Sequence, residues 1–238
     1  MRKQTIAQKN RAMPSQTAAR PAVKRSRIFI VDDHPIFRGG LAAIIRQQPH
    51  LTVCGEADTA AAAFEQIPRA KPDLLLTDIG LPGKSGLDLL KDLQSFQPGL
   101  PILVISMHDE ALYAERVLHA GGRGYVMKLE GPEKILQAIA TVLSGKVHVS
   151  AKMSAGILER IANPRASARN SPIAKLSDRE FEVFRLISEG KDGHQIAATL
   201  HLSIKTVSCH KTHIREKLGL QNSIAVAHYA TRWFAEGG

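Results

Sequence analysis

From position 27 onward, short apolar runs alternate with amphipathic stretches. Ile28-Phe29-Ile30-Val31, Leu74-Leu75-Leu76, Ile102-Leu103-Val104-Ile105 and Tyr125-Val126-Met127 have no polar position between their apolar residues. That is the pattern of strands buried on both faces. Between these runs, apolar residues return every three or four positions, as along one side of a helix. The pattern predicts strands near 27–32, 52–57, 73–77, 101–106 and 123–127. It predicts helices near 35–47, 59–68, 86–95, 110–120 and 132–144, with Pro132 at the first position of the last. Five strand–helix units in alternation imply a doubly wound parallel sheet covered on both faces.

The pattern changes after position 150. Residues 151–162 predict a helix with Met153, Ile157, Leu158 and Ile161 on one side. Residues 163–172 are polar, contain two prolines and show no apolar period, so 151–172 is predicted as a helix and a flexible linker. Residues 173–238 then show only helical periodicity. Ser177 followed by Glu180 forms a capping box, Phe181, Val183, Phe184, Leu186 and Ile187 supply a core side, and Gly190 ends the helix. Further helices are predicted at 193–200, 204–217 and 222–234, with a tight turn His201-Leu202-Ser203 before the second of them. This is an all-α helix-turn-helix pattern. A protein-binding bundle with a solvated basic face fits the periodicity equally well.

Charge divides along the same boundaries. The chain of 238 residues has a formal net charge of +10, yet 1–26 carries +7, 27–150 carries −2, 151–172 carries +3 and 173–238 carries +2. The basic segment 1–26 has no aromatic residue and is expected to be disordered. A solvated extension without function is the leading reading of it. An Arg-rich transit-like segment, a start at Met13 and a basic arm adding non-specific attraction to DNA are the alternatives. No apolar run is long enough to cross a membrane, and the two cysteines, Cys54 and Cys209, have no metal-ligand spacing. The expectation is a cytoplasmic chain with free thiols and no zinc.

Candidate chemistry lies at the carboxyl ends of the predicted strands. The first ends in Asp32-Asp33, the third in Asp78, the fourth in Ser106 and the fifth in Lys128. In open α/β sheets that edge is where ligands bind. Each like-charged carboxylate pair at ~4 Å costs roughly 4 kcal/mol at an effective dielectric of ~20, so such a cluster traps protons or binds a hard cation such as Mg²⁺. After Asp78, Gly80, Pro82, Gly83 and Gly86 mark a loop. A glycine at 80 removes the second acid that an Asp-nucleophile phosphatase of the haloacid-dehalogenase pattern requires. Gly121-Gly122-Arg123-Gly124 precedes a strand rather than following one, which argues against a nucleotide loop.

In this order of Asp-Asp, Asp, Ser and Lys, 27–150 resembles the receiver domain of bacterial response regulators. The resemblance implies a flavodoxin-like fold in which Asp78 accepts a phosphoryl group from a sensor histidine kinase. It implies that Mg²⁺ is held by Asp33, Asp32, Asp78 and the Gly80 carbonyl. Ser106 and Lys128 would hold the phosphoryl oxygens, and Tyr125 would be the aromatic that changes rotamer. Leu129 stands where this family often carries proline, and Glu130 where it often has a small polar residue. The stretch LSDREFEVFRLISEG and the later IAATLHLSIKTVSCHKTHIREKLGL independently resemble the LuxR/NarL output domain. They imply that 204–217 enters the major groove of double-stranded DNA. Ser208, Cys209 and Thr212 would face bases, and Lys205, Thr206, His210 and Lys211 would meet phosphates or the groove rim. Together the two resemblances imply a phosphorylation-controlled transcription regulator of the NarL/FixJ type, rather than a metabolic enzyme, switching between a masked and a homodimeric form. A regulator acting by protein contact without a DNA step is the alternative. Kinase, signal, operator, regulated genes, dimer interface and direction of regulation have no signature in the sequence.

Overall fold

A computed structural model describes residues 25–162 and 172–236. The expected disordered tail therefore lies outside the described residues except for Arg25 and Ser26. Most of the expected linker, 163–171, also lies outside them.

The first region alternates β1 (Ser26–Val31), α1 (Pro35–Arg46), β2 (Leu51–Ala57), α2 (Ala60–Ala70), β3 (Leu74–Thr77), α3 (Gly86–Phe96), β4 (Ile102–Ser106), α4 (Glu110–His119), β5 (Gly124–Met127) and α5 (Pro132–Leu143). A 3₁₀ turn, Lys128–Glu130, joins β5 to α5. All pairings are parallel, in the order β2-β1-β3-β4-β5. This is the flavodoxin-like arrangement, whose strand order reverses between β1 and β3.

Strand side chains alternate between two apolar layers. Ile28, Ile30, Leu74, Leu76, Leu103 and Ile105 meet α1 and α5 through Leu41, Ile45, Ile135 and Ile139. Phe29, Val31, Leu75 and Val104 meet α2, α3 and α4 through Ile67, Leu90, Leu93, Tyr113 and Val117. In β2 the register slips where Gly55, rather than Cys54, comes opposite Phe29. A Cβ at Gly55 would lie 2.3 Å from the Phe29 ring, so the ring occupies the space that glycine leaves.

The largest departure from the sequence pattern is α2, which runs through Pro68 to Ala70. Pro68 lies in the last turn, so its missing N–H removes a bond near the end of the helix. Lys71 then closes it with a left-handed φ of 44°.

Helix α6 (Ala151–Ala162) follows. The second region contains a 3₁₀ turn (Pro172–Lys175), then α7 (Asp178–Ser188), α8 (Gly193–Leu200), α9 (Ile204–Lys217) and α10 (Ser223–Ala235). The capping box forms as the sequence predicts: Glu180 N donates to Ser177 Oγ, and Ser177 N donates to Glu180 Oε2 at 2.7 Å. Phe181, Phe184, Ile196, Val207, Ile214 and Val226 form the core of this bundle.

The two regions share one apolar layer. The Phe181 ring meets the Tyr113 ring edge-on, with centroids 5.4 Å apart.

Candidate functional site

The parallel topology brings four of the predicted strand ends to one sheet edge. Asp78, just after β3, is 4% exposed. Ser106 Oγ donates to its Oδ1 at 2.6 Å, and the Gly80 N–H donates to the same oxygen at 3.2 Å. Lys128 Nζ lies 2.6 Å from Asp78 Oδ2 and 2.6 Å from Asp32 Oδ2. One ammonium thus bridges two buried carboxylates, and it also lies 4.5 Å from the Phe37 ring centroid.

The loop is fixed from beneath. Thr77 Oγ1 donates to the Asp78 carbonyl oxygen at 3.1 Å. Gly86 opens α3 against that carbonyl, and a Cβ there would sit 1.8 Å from the oxygen. Any side chain at 86 would push the loop, and Asp78 with it, out of the site.

Burial sets the electrostatics, and hydrogen bonds then divide the two acids. Burial pushes the Asp78 carboxyl upward, but Lys128, Ser106 and the Gly80 amide together hold it below the ordinary carboxylate value. At Asp32 burial prevails and the carboxyl is raised. Burial acts to lower Lys128, and the two carboxylates raise it above the ordinary lysine value.

Asp33 lies beside this group. Its Oδ1 is buried and has no hydrogen bond of acceptable geometry, although His34 Nδ1 is 2.8 Å away. Ligand atoms of Asp32, Asp33, His34 and Asp78 lie within 4.8 Å of one another. An orphaned acidic oxygen among oxygen donors fits a hard divalent cation.

Tyr125, expected to change rotamer, is turned inward at 1% exposure, and its hydroxyl donates to the His108 carbonyl at 2.8 Å. The His108 ring stacks on Tyr113 at 4.9 Å. Burial, with the Arg185 charge nearby, lowers the His108 imidazole to about 4, so this ring is neutral near pH 7. Tyr113 in turn touches Phe181 of the second region. A continuous set of contacts therefore runs from the Asp78 edge to α7.

That docking was not foreseen from the sequence. The Arg116 guanidinium lies 4.2 Å over the Phe181 ring. It also donates to the Leu176 and Ile173 carbonyls and pairs with Asp178 at 3.1 Å. Lys91 reaches the other Asp178 oxygen at 2.6 Å, and Arg179 donates to the Gly83 carbonyl in the loop after Asp78. Pairs 57 or more residues apart leave no periodic trace. A clue existed only in the type of residue, an arginine on the inner side of α4.

Arg116→Ala should open this contact. It removes a half-buried cation with several partners and leaves Asp178 short of charge, at a cost of about 2–3 kcal/mol to the docked arrangement. The full chain should show a larger radius of gyration in small-angle scattering. An unchanged radius would mean that other contacts hold the regions together.

On α9, Lys205, Ser208, Cys209 and Thr212 share one exposed side at the spacing of successive helical turns. Lys211 is half-buried beside a groove lined also by Lys191, Ser208, Thr212, Arg215 and Asn222. Thr206 is engaged at the helix start, with its N–H and hydroxyl both on Ser203 Oγ at 3.0 and 2.8 Å. His210 is half-buried, and its Nδ1 has no hydrogen-bond partner among the described residues. The resemblance implies that Lys205, Thr206, His210 and Lys211 meet phosphates or the groove rim; only Lys205 among them is fully exposed. Ser208, Cys209 and Thr212 are exposed with the first region docked.

Comparison with known proteins agrees with both regions. Residues 28–140 match the family model "Response regulator receiver domain", and 174–230 match "Bacterial regulatory proteins, luxR family". The Oxygen regulatory protein NreC of Staphylococcus aureus strain JH9 is 35% identical over 210 residues, 87% of this chain and 97% of that protein. RcsB from Salmonella enterica serovar Typhimurium, solved bound to promoter P1flhDC in the presence of phosphomimetic BeF3-, is 31% identical with a TM-score of 0.59. That match covers 88% of this chain and 100% of the RcsB chain. A LuxR-family two-component response regulator from Aurantimonas sp. SI85-9A1 is 31% identical, with a TM-score of 0.55 over 59% of this chain and 100% of that one. With a receiver-type sheet at one end and a LuxR-type helical region at the other, the chain belongs to the response regulators of the NarL/FixJ type.

Proposed function

We propose that Asp78 is the phosphoacceptor and that its phosphorylation by a sensor histidine kinase controls how the chain binds promoter DNA. The observation that supports this most is the bracketing of one buried carboxylate by Ser106 Oγ and Lys128 Nζ, each at 2.6 Å. A carboxylate held ionised below its ordinary value is a competent nucleophile. An Asp78 oxygen attacks phosphorus, the phosphorus–nitrogen bond of the kinase phosphohistidine breaks, and the imidazole leaves. Ser106 and Lys128 already point at the place where the new oxygens arrive. Asp32, Asp33, Asp78 and the Gly80 carbonyl would hold Mg²⁺, which neutralises charge on the transferring group. The acyl phosphate carries about two negative charges where the carboxylate carried one, so the site gains about one. Lys128 and Ser106 then have a second acceptor to satisfy, and Tyr125 is the neighbouring aromatic that would follow, giving up its bond to the His108 carbonyl.

The 204–217 helix is the proposed reading element in double-stranded DNA, with Ser208, Cys209 and Thr212 toward bases and Lys205, Thr206, His210 and Lys211 toward the backbone. The 173–238 segment carries only +2, so a single copy has a weak electrostatic footprint. Two copies on half-sites about one helical turn apart double the phosphate contacts. Phosphorylation would therefore act chiefly by favouring a homodimer.

Transfer of label from an acyl-phosphate donor and protection of promoter DNA, each measured with and without Mg²⁺, test the reading together. Within the DNA step, Thr212→Ala should relax specificity at one base position by roughly 1–3 kcal/mol. Lys211→Ala should weaken all sequences alike and flatten the salt dependence. The opposite assignment in a binding-selection experiment would mean that the helix is rotated in the groove.

A further inference from the structure

We propose that His34 is an additional donor at the acidic site and tilts its choice of divalent ion from Mg²⁺ toward Mn²⁺ and later first-row ions. The inference rests on the reading of Asp32, Asp33 and Asp78 as a cation site, and it assigns a role to a residue outside that set.

The geometry comes from three atoms. His34 Nδ1 is 2.8 Å from Asp33 Oδ1 and 3.4 Å from Asp32 Oδ1. Two neighbouring donors of an octahedral ion with bonds near 2.1–2.2 Å are separated by roughly 3.0 Å. The imidazole nitrogen therefore stands from each carboxylate oxygen at close to the spacing of adjacent corners, and ligand atoms of the whole group lie within 4.8 Å of one another. The Asp33 oxygen in this set is buried and makes no hydrogen bond of good geometry among the described residues, so it has a lone pair to offer an ion.

The backbone explains why His34 can reach. It stands at the N-cap of α1 with φ −89° and ψ 103°, extended geometry that leaves its side chain beside the acids. Its own N–H donates to Asp32 Oδ1 at 2.9 Å and fixes that carboxylate. The His34 side chain makes no capping bond to the helix, so it has no helix-end task that would hold it elsewhere. On the far side of Asp32, Lys128 uses Oδ2, leaving Oδ1 as the oxygen facing His34.

Donor chemistry sets the selectivity. A site of carboxylate, carbonyl and water oxygens suits Mg²⁺, Ca²⁺ and Mn²⁺. Exchanging one water for an imidazole nitrogen favours ions that accept nitrogen, and among the hard divalent ions Mn²⁺ does so far better than Mg²⁺. The expected result is an affinity ratio rather than a new site, because Mg²⁺ retains its oxygen donors whether or not His34 turns toward it.

Free Mn²⁺ is counted directly by electron paramagnetic resonance during titration of the full chain near pH 7.5, and Mg²⁺ is measured by competition. Wild type should bind Mn²⁺ at least tenfold more tightly than Mg²⁺. His34→Ala and His34→Gln should lose about tenfold in Mn²⁺ affinity, as removal of a weak ligand does, and change less than twofold for Mg²⁺. The exposed position of His34, 64% for the side chain, makes both variants tolerable to the fold, and a thermal melt checks this. Equal Mn²⁺-to-Mg²⁺ ratios in wild type and both variants overturn the assignment. Asp33→Ala separates the two levels of the argument. Loss of both ions there, with an unchanged ratio in His34→Ala, rejects His34 alone. Retention of both ions in Asp33→Ala rejects the acidic site and the inference together.

Discussion

Asp78→Asn is expected to give a folded chain that takes up no phosphoryl label from a kinase or an acyl-phosphate donor, and whose promoter affinity no longer responds to either. The exchange keeps the planar shape of the side chain. The Asn oxygen still accepts from Ser106, so the packing around β3 persists. What disappears is the nucleophilic oxygen and the charge that attracts Lys128. Stability offers a second readout. The Asp78 carboxyl is held below its ordinary value in the fold, because Lys128, Ser106 and Gly80 outweigh the upward push of burial. A depressed carboxyl adds stability that is complete above the unfolded value of about 4 and is lost as pH falls through the folded value. The variant lacks that contribution and should show a flatter acid limb in melts as pH falls below about 4. Stable, base-labile label at the wild-type level in Asp78→Asn would move the acceptor to another residue.

Lys128→Ala is the variant expected to damage the fold most. Its ammonium serves Asp32 and Asp78 at once, and all three side chains are at most 5% exposed. Removing one partner of a buried ion pair costs about 3–5 kcal/mol, since the charge left behind has neither water nor a counterion. Here two carboxylates are left facing each other. Both would be raised above their unfolded values, so the deficit is full at neutral pH and shrinks as pH falls through the raised values. Saturating divalent cation should recover part of it by replacing the missing positive charge. A melting temperature equal to wild type at pH 7.5 without cation would mean that water reaches this edge far more freely than the burial of Asp32 and Asp78 implies.

The acidic edge was legible in the sequence for a topological reason. Buried parallel strands read as uninterrupted apolar runs, so the polar residue that ends each run is visible. The sheet then brings those ends together without further information. Asp32, Asp78, Ser106 and Lys128 were all found in that way. His34 was readable in principle, since it follows the two acids directly, but an exposed histidine before a helix gives no sign of where its ring points. Pro68 misled the boundary of α2, because proline in a last turn removes only one bond. The docking of α7 on α3 and α4 had no periodic signal in the sequence. Arg116, Asp178 and Phe181 are separated by long stretches, and each has an ordinary local role as a helix residue or a capping neighbour. The half-buried state of His210 was also hidden, since helical spacing alone does not tell which flank of α9 meets α7.

The uncovered side of α9 has a consequence for timing. When a reading helix is occluded at rest, every activated molecule must begin its search for a promoter from free solution. In this chain Lys205, Ser208, Cys209 and Thr212 stand exposed while the two regions are docked. With α9 as the proposed reading helix, the resting population would visit arbitrary duplex weakly and briefly, sliding and hopping along it. Newly modified molecules would then start close to the genome, and the slow step would become the meeting of two of them on adjacent half-sites. The delay between signal and occupancy would scale with the local density of molecules along the duplex, and diffusion through the cell volume would matter little.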